Sequence, residues 1–292
     1  MKVLVTGHKG YIGSHIFSEL QRLEHEVRGI DIKDGEDILH CLPNEDFDYV
    51  FHLAAQPRVE FSVHHPSYTM KQNVLVTSTL LEWAKDHGVK RVIFSSSSAV
   101  NGDGDGVPKS PYGLHKLMSE MECRLFSELY GLDTVCLRYF NAYSEDQDFG
   151  GSYSTAICAW MEMIRQGKPL RMDGDGEQTR DLVHVEDIVL ANIYAMQSTS
   201  WFGGKAYNVG SGTSVSMNYI RNFINERHDV EWNNAPERKG DVKHTLADIS
   251  ETKKDLEFEP RVSIEEGLSR CFSQKNLKKH LTTHIIGDII RI

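Results

Sequence analysis

The sequence predicts an α/β protein, a doubly wound parallel sheet with a smaller mixed α/β domain behind it. Short apolar runs alternate with helical patterns through the first half, a glycine-rich turn follows the first run, and an acidic residue closes the second. Strands separated by helices build βαβ units, and such units stack into a parallel sheet.

The strand candidates, in order, are Val3 to Val5, Val27 to Ile30, Val50 to Leu53, Val92 to Ser95 and Val135 to Arg138. Each is a short apolar run rich in β-branched residues, as a strand buried on both faces requires. Helical patterns lie between them, one from the glycine turn to about Leu23, one over about 66 to 86, and one from Tyr112 to about Tyr130. After Tyr143 the pattern becomes irregular, with Gly- and Asp-rich turns at 173–177 and 203–212. A helix over about 185–196 is expected to return to the first domain. The expected division is therefore a cofactor-binding domain over 1–142, a second domain over 143–275, and a tail over 276–292.

Composition narrows the function. The 292 residues are 40% apolar and 25% charged, enough to bury a large core. The 42 acidic residues outnumber the 32 basic ones, and a net charge of -10 without a basic stripe disfavours nucleic acid and acidic lipid as partners. Cys41, Cys123, Cys136, Cys158 and Cys271 are scattered and form no C-x-x-C pair, so neither a disulfide framework nor a metal site is expected. No stretch is long and apolar enough to span a membrane, and no signal sequence opens the chain. The expectation is a cytoplasmic protein with free thiols.

Gly7, Gly10 and Gly13 stand in T-G-H-K-G-Y-I-G, between the first strand and the first helix. Glycines there let the backbone approach a pyrophosphate, which settles on the N–H groups and positive dipole end of the helix. The spacing is G-x-x-G-x-x-G, which alone is also compatible with a turn that binds nothing. Asp31 lies 18 residues beyond Gly13 at the end of the second strand. A carboxylate there would accept hydrogen bonds from the adenosine ribose and repel a 2′-phosphate, favouring NAD over NADP. Without the glycines it would read as a solvated turn residue.

Tyr112 and Lys116 lie four apart in S-P-Y-G-L-H-K, on one face of a helix. An ammonium beside a phenol favours the phenolate, so Lys116 is expected to lower the pKa of Tyr112 and fit it for proton transfer. Ser95 to Ser98 end a strand in F-S-S-S-S-A-V-N-G-D, at the carboxyl edge where ligands of this architecture bind.

Glycine turn, serine run and Y-x-x-x-K, in that order, resemble the extended short-chain dehydrogenase/reductase family, and within it the nucleotide-sugar 4-epimerases. The likeness extends through V-F-H-L-A-A-Q at 50–56, L-R-Y-F-N-A-Y at 137–143, G-D-G-E-Q-T-R-D at 174–181, Y-N-V-G-S-G at 207–212 and R-K-G-D-V-K-H-T-L-A-D-I-S at 238–250. It implies that NAD is held by Gly7, Gly10, Tyr11, Ile12, Gly13, Asp31, Ile32, Asp37, Ile38, Leu53, Ala54, Ala55, Asn73, Tyr112 and Lys116. Asn73 is nearly as readable as a helix asparagine satisfied by backbone. The resemblance further implies catalysis by Ser97, Tyr112 and Lys116, and a nucleotide-sugar held by Ser96, Asn141, Arg180, Arg238 and Thr245. The implied reaction is C4 epimerisation through a 4-keto sugar. A 4-keto reductase and a non-catalytic binding relative are the alternatives, and Ser98 and Ala99 stand where a dehydratase would carry acidic residues.

The resemblance implies a homodimer as well, formed by the helices bearing Tyr112 and residues 66–86, with Leu75, Leu80, Trp83, Leu117, Met121 and Leu125 as candidate contacts. Two segments depart from the family pattern. The connection from Asp31 to Asp37 and the loop from Gly102 to Tyr112 are both shortened, and Asn101 replaces the tyrosine of V-Y-G. A strand or helix missing after Asp31 is therefore expected.

Overall fold

The computed structural model describes residues 1–149, 155–237 and 242–277. The chain starts with β1 (Lys2–Thr6), turns through the glycines into α1 (Tyr11–Arg22), and continues into β2 (Glu26–Ile30), α2 (Ile38–Cys41) and β3 (Tyr49–His52). Next come α3 (Val59–His64), α4 (Pro66–Met70) and, after a π turn at Lys71–Leu75, α5 (Val76–Asp86). Then follow β4 (Arg91–Ser97), α6 (Pro111–Tyr130) and β5 (Asp133–Tyr139). The remainder holds β6 (Asn141–Tyr143), α7 (Ala156–Arg165), β7 (Leu170–Asp173), β8 (Thr179–Arg180), β9 (Leu182–His184), α8 (Val185–Gln197), β10 (Lys205–Val209), β11 (Val215–Ser216), α9 (Met217–Asn225), β12 (Trp232–Ala235), α10 (Ser250–Leu256) and α11 (Ile264–Cys271).

Six strands form one parallel sheet in the order β10-β5-β4-β3-β1-β2. Its side chains alternate between two cores, as the two-residue period of a strand dictates. Val3, Val5, Ile93, Val135 and Leu137 pack under α1 and α8, against Ile16, Leu20, Ile188 and Ile193. Leu4, Val50, Val92, Phe94 and Cys136 face the other way, against Leu80, Leu81, Trp83 and Cys123 of α5 and α6. The helix expected to return to the first domain does so as α8. The turn-rich stretch expected at 203–212 also contains β10, which adds a sixth strand beside β5.

The expected loss after Asp31 takes a definite form. A doubly wound sheet of the 3-2-1-4-5-6 order carries a strand outside the second one. Here β2 is the edge, and the chain passes through a single 3₁₀ turn and α2 back to β3 on the far side of β1. Charged Glu26 and Arg28 sit on the exposed positions of that edge, which discourages pairing with a foreign strand.

The second region packs its own core from Tyr143, Trp160, Met161, Leu170, Ile220, Phe223 and Leu268. Buried Asp187, near the start of α8, ties it to the sheet by accepting the N–H groups of Arg261 and Val262 at 2.8 and 3.1 Å. No helix among the described residues is long and apolar enough to cross a membrane.

Candidate active site

One cleft of about 610 Å³ runs along the carboxyl edge of the sheet and reaches the second region. At one end, Gly7 adopts φ +73° and donates its N–H to the carbonyl of Ile30 at 2.8 Å. A Cβ at Gly7 would lie 2.7 Å from the amide nitrogen of Ala54, and one at Gly13 would lie 2.1 Å from the carbonyl oxygen of Gly7. Only glycine fits either position. Gly10 caps α1 without a side-chain hydrogen bond, so the first helical N–H groups face the cleft uncapped by side chains, and an anion suits them. The cradle fits a dinucleotide pyrophosphate.

Asp31 accepts the N–H groups of Lys9 and Lys33, both at 2.9 Å, which pins the glycine turn to the end of β2. Asp37 caps α2 by accepting the N–H of Leu39 at 3.0 Å. Both carboxylates line the cleft, together with Tyr11, Ile12, Ile32, Ile38, Leu53, Ala54 and Ala55. Asn73 does not. Its amide accepts the N–H of Gln56 at 2.7 Å and donates to the carbonyl of Gln56 at 3.1 Å, so it clamps the loop after β3 from behind.

At the middle of the cleft, the serine run splits by strand alternation. Ser95 Oγ meets Tyr139 Oη at 3.0 Å. Ser96 points into α6 and donates to Glu120, which also holds Arg138. Its hydroxyl is committed there, although Ser96 also lines the cleft. Ser97 turns toward Tyr112, and its Oγ also accepts the N–H of Ala99 at 3.2 Å. Ser110 starts α6 by accepting the N–H of Gly113 at 3.1 Å, with Pro111 in the first turn, and this start places Tyr112 and Lys116 one turn apart facing the cleft.

The electrostatics differ from the expectation. Burial pushes the Tyr112 phenol above its ordinary value, and the Ser97 hydroxyl only partly offsets this. Lys116 does not lower it, because the ammonium donates to the carbonyl of Ser95 at 2.7 Å, stands 4.8 Å from the ring centre of Phe94, and is itself brought down to about 8 by burial. Desolvation outweighs the pairing on which the sequence argument relied.

On the opposite wall stand Asn141, Arg180 and Thr245. Asn141 Nδ2 donates to the carbonyl of Asp181 at 2.8 Å and to Thr245 Oγ1 at 3.2 Å, and the N–H of Asp181 donates to the same Oγ1 at 3.1 Å. The organiser of this wall is Asp181, to which the sequence argument gave no role. Fully buried, it accepts the N–H groups of Ser211, Gly212 and Ala247 and the hydroxyl of Ser211 at 2.7 to 3.1 Å. Its only signal was an acid placed between an arginine and the apolar run L-V. Arg238 lies outside the described residues. Tyr68, Gln72 and Lys109 also line the cleft, without having been singled out by any motif.

The model of the NAD dependent epimerase/dehydratase family matches residues 3–210. The chain belongs to this family. Curated relatives of the epimerase/dehydratase family include a putative UDP-glucose 4-epimerase of Methanocaldococcus jannaschii, 31% identical and covering 92% of this chain and 96% of its own. Among solved structures, a UDP-N-acetylglucosamine 4-epimerase from Methanobrevibacter ruminantium M1, in complex with UDP-N-acetylmuramic acid, superposes with a TM-score of 0.85. It is 33% identical over 97% of this chain and 98% of that one. A UDP-glucuronic acid 4-epimerase from Bacillus cereus, solved with UDP-glucuronic acid and NAD, gives 0.84 at 29% identity over 96% of this chain and 100% of that one.

Proposed function

We propose that this member of the family is an NAD-dependent 4-epimerase of nucleotide-sugars. The supporting observation is that Ser97, Tyr112 and Lys116 share one cleft with the glycine cradle on one side and Asn141, Arg180 and Thr245 on the other. NAD, when bound, supplies the hydride acceptor and donor that interconverts alcohol and ketone at C4. Tyr112 takes and returns the hydroxyl proton, Ser97 holds the reacting oxygen, and Lys116 donates to the nicotinamide ribose. Burial raises the Tyr112 phenol in the free protein, and the Ser97 hydroxyl opposes that rise. The planar guanidinium of Arg180 suits diphosphate oxygens, and Asn141 holds the nucleotide side. Anchoring by the nucleotide leaves the sugar free to turn.

Incubation with UDP-glucose, UDP-galactose and their N-acetyl counterparts, followed by NMR without added reductant, tests the assignment. Interconversion within a pair is expected, and conversion that requires NADPH would replace it with the reductase. A homodimer is part of the same proposal. Of the candidate contacts, Leu80 and Trp83 are buried and Leu117 is half-buried, whereas Leu75 before α5 is exposed and Met121 and Leu125 are exposed with Leu114 at helical spacing on α6. Light scattering at micromolar concentration should give twice the chain mass.

A further inference from the structure

The first turn of α1 and the chain leaving β6 are joined by a closed ring of four side chains. Tyr11 Oη meets Ser144 Oγ at 2.6 Å, and Ser144 Oγ donates to Asp146 Oδ1 at 2.5 Å. Asp146 Oδ2 lies 3.4 Å from His15 Nε2, and the rings of His15 and Tyr11, one helical turn apart, meet edge to face at 5.6 Å. Two members therefore belong to the helix whose N-terminus carries the pyrophosphate cradle, and two to the segment that enters the second region. Ser144 is 1% exposed, and neither it nor Asp146 lines the cleft.

That segment is tied at both ends. Upstream, β6 pairs with β9, Asn141 against Leu182 and Tyr143 against His184, so Asn141 in the cleft lies three residues from Ser144. Downstream, buried Gln147 accepts the hydroxyl of Thr155 at 2.7 Å and, through its carbonyl, the thiol of Cys158 at 3.2 Å, where α7 begins. A ligand that fixes Asn141 and Arg180 thus fixes the same short element that grips Tyr11.

We propose that Tyr11, Ser144, Asp146 and His15 form a latch coupling nucleotide-sugar binding to retention of NAD, with Ser144 and Asp146 as positioning residues. The proposal rests on the ligand assignment above. Coupling of this kind runs through contiguous packed elements and typically amounts to a factor of about 5 to 150. The mechanism benefits, because an epimerase must keep its cofactor while the sugar turns.

The test uses the NAD-loaded protein and measures the rate of NAD release with and without saturating UDP. UDP is expected to slow release about tenfold in the parent and less than twofold in Ser144→Ala and Asp146→Asn. Asp146 is exposed, so its variant folds even if Ser144→Ala does not. An undiminished effect of UDP in Asp146→Asn, or UDP binding calorimetrically to the parent without slowing release, overturns the latch alone. Failure of UDP to bind the NAD-loaded parent overturns the nucleotide-sugar assignment and the latch with it.

Discussion

On the glycine side of the cleft the wall is close-packed main chain, whereas the side bearing Asn141, Arg180 and Thr245 is built from side chains held at long range. Gly13 is required because a Cβ would strike the Gly7 carbonyl within the same turn, and Gly7 because a Cβ would strike the backbone of Ala54 after β3. Asn141, Arg180 and Thr245, by contrast, come from three separated segments brought together around Asp181. Local constraints leave local signatures. The role of the one buried carboxylate at the centre of the other wall is not legible in the same way, because any acidic residue reads alike until its donors are known.

The contrast is absent where both walls meet the reacting atoms, and there the largest effect is expected. Tyr112→Phe and Ser97→Ala should each lower turnover by about 10²–10⁴-fold, as removal of a general acid–base group or its partner does. Circular dichroism and bound NAD content should stay at parent levels. Near-normal turnover in Tyr112→Phe would remove the proton-transfer role.

Asp181→Ala tests the comparison itself. The change strands the N–H groups of Ser211, Gly212 and Ala247, and each stranded buried donor costs about 1–3 kcal/mol. The expected result is a rise of roughly 10²-fold in KM for the nucleotide-sugar, with NAD affinity altered less than threefold. Equal losses for both ligands would show that the two walls are not separately built.

Lys116 sharpens the same point through pH. Its ammonium is depressed to about 8 in the folded protein against 10.5 for the ordinary group. Between those values the unfolded chain binds more protons than the native one, so the contribution of Lys116 to stability rises with pH from about 8 to 10.5. Burying the charge below that window costs about 3 kcal/mol. Urea unfolding of Lys116→Met should therefore lack, by about this amount, a gain that the parent shows between pH 7 and pH 10.5. Parallel curves for the two proteins would refute the desolvated ammonium.

The legibility of the sequence follows the same division. The five expected strands and the spacing of Tyr112 and Lys116 were legible because each depends on neighbours within one or two turns of chain, and the glycines were legible as a spaced motif although Gly7 is required by distant Ala54. The sixth strand, β10, was hidden by Gly203 and Gly204, which read as a turn although they only lead into it; a Cβ at Gly204 would lie 2.3 Å from Arg124 Cα. The Ser96 hydroxyl, though at the cleft, is held by Glu120, which a run of serines does not reveal. The pKa of Tyr112 was misjudged because spacing reports the nearby charge but not the burial that opposes it.

The smallest effect expected concerns which sugar fits. Thr245 lines the cleft, and its Oγ1 accepts from both Asn141 Nδ2 and the Asp181 N–H, so it faces the ligand side and is not an ordinary core residue. In the proposed assignment it borders C2 of the sugar, where a small side chain leaves space for an N-acetyl group. Thr245→Tyr removes that space and the hydroxyl acceptor together, so Thr245→Val is needed to separate them. Loss of the hydroxyl alone should weaken both substrate classes to the same extent, since it loosens Asn141 whichever sugar is bound. Added bulk should lower kcat/KM for UDP-GlcNAc and UDP-GalNAc about tenfold more than for UDP-glucose and UDP-galactose, the scale on which a pocket discriminates by size. Equal losses on both classes in Thr245→Tyr, matching those in Thr245→Val, would show that Thr245 holds the wall together without gating C2.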